Sequence, residues 1–146
     1  MKVSQAMRKN VVIIHEDISV TEASKSMREK NQPCAIVLRL GKPFGIVTEQ
    51  DITWKVAANG LDPNNVKIEE IMSTPLIVVD PEEDLAEAAN IMKKYKIRRL
   101  AVVREETLCG VLTAGDIMRN LANYLDKEVQ DVLRYLWMPR YYNDVV

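Results

Sequence analysis

An α/β fold of the mixed α+β kind, built from two tandem β-α-β-β-α repeats and followed by a C-terminal helical extension, is predicted by three observations. The stretch Gly45-Ile46-Val47-Thr48-Glu49-Gln50-Asp51-Ile52 returns 65 positions later as Gly110-Val111-Leu112-Thr113-Ala114-Gly115-Asp116-Ile117, with four of the eight positions identical. The same offset runs on without a gap: Met7 falls on Met72, Glu22 on Glu87, Ala23 on Ala88, Met27 on Met92, Val37 on Val102 and Arg39 on Arg104. Within each repeat, short β-branched runs alternate with apolar residues at helical spacing. Self-similarity at a fixed period outranks any local signal.

Each repeat opens with an apolar run too short for a helix and rich in β-branched residues, Val11 to Ile14 and Leu76 to Val79, which reads as a strand. Ser19-Val20-Thr21-Glu22 and Asp84-Leu85-Ala86-Glu87 follow, each placing a capping oxygen three residues before a glutamate able to reach back to the cap nitrogen. Both mark helix starts. Val20, Ala23 and Met27, and likewise Leu85, Ala88 and Met92, then define one apolar face that should lie on a sheet. Two more strands complete each sheet, Ala35 to Leu38 with Phe44 to Val47, and Ala101 to Val103 with Cys109 to Leu112. The closing helix of the first half starts at Thr48 and stops at Asn59-Gly60, a suitable left-handed end, before the linker Leu61-Asp62-Pro63-Asn64-Asn65. The second half restarts near Val66, so the chain divides into a first repeat (1–60), a linker (61–67), a second repeat (68–122) and an extension (123–146).

After Asp116 neither Gly nor Pro appears until Pro139, although Asn123 or Asp126 can cap a new helix. Leu121, Leu125, Val129, Val132, Leu133 and Leu136 trace an apolar stripe, and Tyr124, Tyr135, Trp137, Tyr141 and Tyr142 are five of the eight aromatics. The extension reads as a helix covering its own domain or as a subunit interface.

The 146 residues suit one ordinary domain, and a repeat of about 60 residues alone buries little surface, so the halves are expected to share a core. A hydrophobic share of 47%, a charged share of 28% and a net charge of −1 provide no field for nucleic acid or an acidic membrane. No run approaches the roughly 18 apolar residues of a membrane span, and Met1 to Gln5 leads into no apolar signal core, so a cytoplasmic location is expected. Cys34 and Cys109 are not equivalent repeat positions and form no Cys-x-x-Cys pair, which favours two reduced, buried thiols over a disulfide or zinc site. His15 is the single histidine, so His clusters are excluded.

Thr48-x-x-Asp51 and Thr113-x-x-Asp116 each stand where a strand turns into a helix, and capping alone explains either one. Capping does not explain the glycine that precedes the threonine in both halves, at a strand end where N–H groups point outward and a helix N-terminus attracts phosphate. There a threonine hydroxyl adds a donor, and an aspartate one turn along can accept both hydroxyls of a ribose. Nucleotide binding fits this geometry.

With these residues the repeats resemble the cystathionine β-synthase (CBS) domain, and the pair is similar to the tandem arrangement called a Bateman module. The resemblance covers about residues 1–122 and rests on the G-h-x-T-x-x-D stretch in each repeat and on Ile97-Arg98-Arg99-Leu100-Ala101-Val102-Val103. It implies a pseudo-two-fold, regulatory, non-catalytic module with two clefts for AMP, ADP, ATP, S-adenosylmethionine or NAD, and no other cofactor or metal. Carried over by motif, Asp116 would hold the ribose, Thr113 the phosphate, and backbone near Leu76-Ile77 and Leu100-Ala101 the adenine edge. Thr48 and Asp51 would serve the first half, with Val12, Pro33 and Ala35 beside them. Lys96, Arg98 and Arg99 would add cations for phosphate, or else form a solvated basic edge at a helix end, where the first repeat has Asn31, Pro33 and Cys34. Charge-assisted donors are worth roughly 1.5–3 kcal/mol each, so the second repeat is the expected phosphate site.

The resemblance further implies a homodimer and an effector protein on another chain, of unknown identity. Two other readings are an architectural dimerisation module with empty clefts and a slow nucleotide hydrolase. Against the hydrolase stand the missing Walker A loop, the missing Gly-x-Gly-x-x-Gly and the lack of a metal-ligand cluster.

Overall fold

The computed structural model describes residues 1–122, 127–129 and 131–132. Of the extension, 127–129 and 131–132 are helical and exposed; Asn123 to Asp126, Leu133, Tyr135, Leu136, Trp137, Pro139, Tyr141 and Tyr142 lie outside the described residues. Leu121, Val129 and Val132 of the expected stripe are exposed.

Both halves fold as β-α-β-β-α, each around a three-stranded sheet. In the first, β1 (Val12–His15) runs into α2 (Val20–Glu29), then β2 (Cys34–Arg39) and β3 (Lys42–Thr48), and α3 (Glu49–Asp51) continues as a π-helical stretch, Ile52–Ala57. α1 (Val3–Ala6) precedes all of these. In the second half β4 (Val78–Val79), α4 (Leu85–Tyr95), β5 (Arg99–Arg104), β6 (Thr107–Thr113) and α5 (Ala114–Ala122) repeat the order. β1 pairs parallel to β2 from Val12 with Ala35 to His15 with Leu38, which requires the helical crossover that α2 supplies. β2 and β3 pair antiparallel from Cys34 with Thr48 to Arg39 with Lys42, through a register shift between Val37 and Leu38. β4 lies parallel to β5 through Val78 with Ala101 and Val79 with Val102.

Of the helical faces read from spacing, Val20, Ala23 and Met27 on α2 and Ala88 and Met92 on α4 are buried as expected, whereas Leu85 at the start of α4 is only half-buried. Val12, Ile14, Val37, Val47, Val56 and Ile68 join the α2 face in one core. The Ser19 hydroxyl caps α2 by accepting from the Glu22 N–H at 3.1 Å, whereas the Asp84 carboxylate makes no such bond to α4. The expected likeness of the two caps is corrected there. Ser19→Ala is therefore expected to lower stability by about 1 kcal/mol, and Asp84→Ala by less, when both are compared by urea unfolding.

Several boundaries move. β2, β3, β5 and β6 each extend a residue or two beyond the apolar runs, because sheet pairing continues into polar residues. β1 begins at Val12, one residue late, and β4 keeps only Val78 and Val79 of the expected four. Leu76 is drawn off elsewhere, its N–H donating to the Phe44 carbonyl at 3.2 Å. The closing helix of the first half is capped by Thr48 as expected, but it ends at Ala57 with Ala58 as its cap, short of the expected Asn59-Gly60, and a turn carries the chain on to Gly60, with φ +66°. The backbone widens over this stretch, with Ala58 N–H donating to Thr53 and Leu61 N–H to Val56, five residues back.

The described fold divides into two compact units that do not coincide with the sequence repeats. One holds Asn10–Ile77 with Glu105–Leu108; the other holds Met1–Lys9, Val78–Arg104 and the described residues from Cys109 onward. The expectation of a single shared core is corrected accordingly: two units form, and each is completed by the other repeat's leading segment. Arg8 exchanges two backbone hydrogen bonds with Val111, at 2.9 and 3.0 Å, and Ser73 exchanges two with Ile46, at 2.8 and 3.1 Å. These pairs are 65-residue equivalents of each other. Val3 on α1 and its counterpart Ile68, in the 3₁₀ turn Ile68–Glu70, are both fully buried anchors of these segments.

The crossing backbone explains the paired glycines. A Cβ on Gly110 would stand 2.4 Å from the Arg8 carbonyl oxygen, and one on Gly45 would stand 3.0 Å from that of Ser73. Met7 and Met72 sulfurs close the same two contacts. The glycines admit a neighbouring chain, which corrects the expectation that they serve phosphate.

Arg39 and Arg104, equivalent strand-end residues, pair with Glu16 at 2.5 Å and Asp80 at 2.9 Å. The Arg104 guanidinium, with the Glu82 N–H, holds the exposed Asp80 carboxyl below its ordinary pKa. Cys34 is buried as expected, but Cys109 near the start of β6 is only half-buried; neither is joined in a disulfide. Among the described residues no helix is long and apolar enough to cross a membrane.

Candidate functional site

At the junction of β6 and α5 the expected capping box forms in both directions. The Thr113 N–H donates to Asp116 Oδ2 at 2.8 Å, and the Asp116 N–H donates to Thr113 Oγ1 at 3.1 Å. The Ala114 N–H goes to the Arg98 carbonyl at 2.8 Å. Three amides open in principle to a phosphate are thus engaged by the protein itself, so side-chain cations must supply much of the attraction for an arriving anion.

Asp116 is 1% exposed and carries more than the box. Its Oδ1 accepts from Arg8 Nε at 2.8 Å and from Arg119 Nη2, on the same helix. Arg8 and Arg119 are themselves mostly buried, at 12% and 22% side-chain exposure. A buried carboxylate is tolerable only when paired and hydrogen-bonded, and here all of these conditions hold. Sequence reasoning singles out neither arginine. Arg119, three residues after Asp116, is within reach of a helical-spacing argument; Arg8, 108 positions away, is not.

The first-repeat junction repeats the box with weaker surroundings. The Thr48 N–H donates to Asp51 Oδ2 at 2.9 Å, the Asp51 N–H to Thr48 Oγ1 at 3.3 Å, and the Glu49 N–H to the Pro33 carbonyl at 3.1 Å. Asp51 is 13% exposed and pairs with Lys55 at 3.0 Å, and the same ammonium donates to the Ile71 carbonyl at 2.8 Å. Ser73 stands where Arg8 does in the other unit, and Trp54, exposed on the π-helical stretch, stands at the Arg119 position.

The remaining expected site residues divide. Val12 and Ala35 are buried and face each other across β1 and β2, with Pro33 half-buried beside the junction it bonds. Leu100 and Ala101 are buried in β5, whereas Leu76 and Ile77 are half-buried and belong to the first-repeat unit. Lys96 ends α4 in a left-handed conformation, φ +54°, exposed behind Lys93 and Lys94 of the last turn, which fits the basic helix edge. The Arg98 side chain is exposed. Arg99 is half-buried, and its Nε meets no hydrogen-bond partner among the described residues. The second-repeat junction therefore offers carboxylate acceptors, a hydroxyl and guanidinium groups within one unit.

The family model described as CBS domain matches residues 3–58 and 68–123 of this chain. The uncharacterised protein MJ0450 of Methanocaldococcus jannaschii is 31% identical over 132 residues, covering 88% of this chain and 70% of that protein. Among solved structures, the hexameric CBS-CP12 protein from bloom-forming cyanobacteria is 38% identical with a TM-score of 0.75, covering 81% of this chain and 69% of that one. The domain pair of protein MJ0100, solved in complex with 5′-methylthioadenosine and S-adenosyl-L-methionine, is 29% identical with a TM-score of 0.76, covering 86% of this chain and 98% of that one.

Proposed function

The chain belongs to the CBS domain family as a tandem pair, and from that premise we propose that it is a non-catalytic, cytoplasmic regulatory module that binds an adenosine ligand of the AMP, ADP or ATP type and signals to a partner protein. The observation that carries this reading is the repeated junction of strand, Thr-x-x-Asp box and helix, with Asp116 and Thr113 in one unit and Asp51 and Thr48 in the other. The two ligands of the MJ0100 complex, both adenosine derivatives, support the same class. S-adenosylmethionine and NAD are the competing ligands. Phosphate preference is assigned to the second-repeat site, where Arg8 and Arg119 meet Asp116 and the exposed Arg98 and Lys96 lie near the same junction in sequence, whereas Asp51 pairs with Lys55. Self-association as a homodimer is part of the proposal; the hexameric CBS-CP12 relative supports assembly of such pairs.

Calorimetry of the full chain against AMP, ADP, ATP, NAD and S-adenosylmethionine tests the proposal. An adenosine phosphate is expected to bind and to raise the thermal transition, since a ligand at about 100 times its Kd adds about 2.7 kcal/mol to the folded state. Heat and thermal shift absent with all five would leave the dimerisation module as the better reading.

A further inference from the structure

The end of α4 carries more positive charge than the helix itself accounts for. Lys93, Lys94, Lys96 and Arg98 fall within six consecutive residues, all four are exposed, and none forms an ion pair among the described residues. Cations in a last helical turn complement the macrodipole, which explains Lys93 and Lys94. It does not explain Lys96 or Arg98, which lie beyond that turn. The 65-residue counterpart shows how little the dipole requires: α2 closes on Arg28, Glu29 and Lys30, and Asn31 and Pro33 stand where Lys96 and Arg98 do. Asn31 and Lys96 share the left-handed conformation, at φ +57° and +54°, which asparagine takes more readily than lysine. A cation is held at position 96 against the preference of the backbone.

Amid these cations Tyr95 is 49% exposed, with the Lys94 ammonium 5.4 Å from its ring centroid. Tyrosine and arginine are enriched where proteins dock, and an exposed ring offers apolar area to a partner's aliphatic side chain while the cations meet its carboxylates. The surroundings of the patch decide the partner's size. α4 is 11 residues long, about 16 Å, and at its other end Asp80, Glu82, Glu83, Asp84 and Glu87 are exposed and outnumber the cations they pair with. A long polyanion such as nucleic acid reaches beyond the basic end to within a screening length of the acidic one, about 8 Å at physiological salt, and is repelled there; a segment of a few carboxylates is not. Resting on the reading of the chain as a module that signals to a partner protein, we infer that the basic end of α4, residues 93–98 with Tyr95 at their centre, is the docking surface for a short acidic segment of that partner. The end of α2, with Glu29 among its cations, has no equivalent surface.

The test follows a fluorescein-labelled peptide of alternating glutamate and leucine by fluorescence anisotropy as the full chain is added. Binding is expected at low salt and should weaken about tenfold between about 50 and about 300 mM salt. Lys93→Glu with Lys94→Glu should weaken it about tenfold or more. Lys25→Glu with Arg28→Glu, which makes the same change of net charge on exposed residues of α2, should alter it by less than about twofold. Equal losses in the two variants would reduce the effect to net charge and overturn the docking surface. A wild-type chain that leaves the peptide free at low salt overturns it too, and needs no variant to fold. A single-stranded oligonucleotide of the same charge that binds more tightly than the peptide would give the surface to nucleic acid and remove the acidic segment. Lys93 and Lys94 stand apart from the Thr-x-x-Asp junctions, so calorimetry with the nucleotides is a separate readout. Heat with an adenosine phosphate but no peptide binding overturns the surface alone, and peptide binding without nucleotide heat overturns the adenosine reading alone.

Discussion

Asp116→Ala is expected to remove about 3 kcal/mol of folding stability, the larger part of the margin on which a small domain stands. The substitution takes from Arg8 and Arg119, both mostly buried, the carboxylate they share, and takes the acceptor from the Thr113 N–H at the start of α5. Removing one partner of a fully buried ion pair costs about 3–5 kcal/mol, and the residual exposure of the two arginines places this case at the lower end. Asp51→Ala is the internal control. Asp51 is more exposed, and its cation, Lys55, keeps the Ile71 carbonyl as a partner, so its loss should cost about 1 kcal/mol, the worth of the cap. Urea unfolding followed by circular dichroism compares the two. Equal losses would mean that Arg8 and Arg119 do not depend on Asp116. Ligand binding is better tested with Asp116→Asn, which keeps an acceptor for the Thr113 N–H.

Gly110→Ala should be nearly as damaging, at about 2–3 kcal/mol. The new methyl group would meet the Arg8 carbonyl oxygen at 2.4 Å, and because that oxygen is backbone and cannot swing aside, the leading segment must retreat from β6. Its retreat weakens the Arg8 and Val111 hydrogen bonds and draws the Arg8 guanidinium from Asp116. Gly115→Ala, five residues on, is expected to stabilise by about 0.5 kcal/mol, because the added carbon meets nothing closer than 3.6 Å and alanine favours the helix. Thermal unfolding of the two variants beside the wild type decides. A Gly110→Ala protein that melts with the wild type would show that the leading segment does not press on β6.

Most of the element order is legible in the sequence because it depends on local periodicity. The apolar faces of α2 and α4, the Ser19 cap, the Thr48 and Thr113 boxes and the left-handed turn at Gly60 are all settled within a few residues of chain. The failure of the Asp84 carboxylate to cap α4 and the π-helical widening after Asp51 escape, since each turns on a choice between partners that residue type does not bias strongly. In the site, Thr113 and Asp116 are visible as a motif, and Lys96 and Arg98 stand out by charge. Arg8 looks like one more solvated cation.

By itself, then, the sequence determined a tandem repeat, the order of strands and helices within it, and a Thr-x-x-Asp box at each strand-to-helix junction. These follow from spacing and from side chains that act on their own backbone. Tertiary structure alone decided which repeat receives each leading segment, and therefore that Gly45 and Gly110 accommodate a crossing chain and that Arg8 meets Asp116. A 65-residue period is satisfied equally by a segment packed on its own repeat or on the other, because the two hosts present nearly the same surface. Only the closeness of two backbones in space breaks that degeneracy.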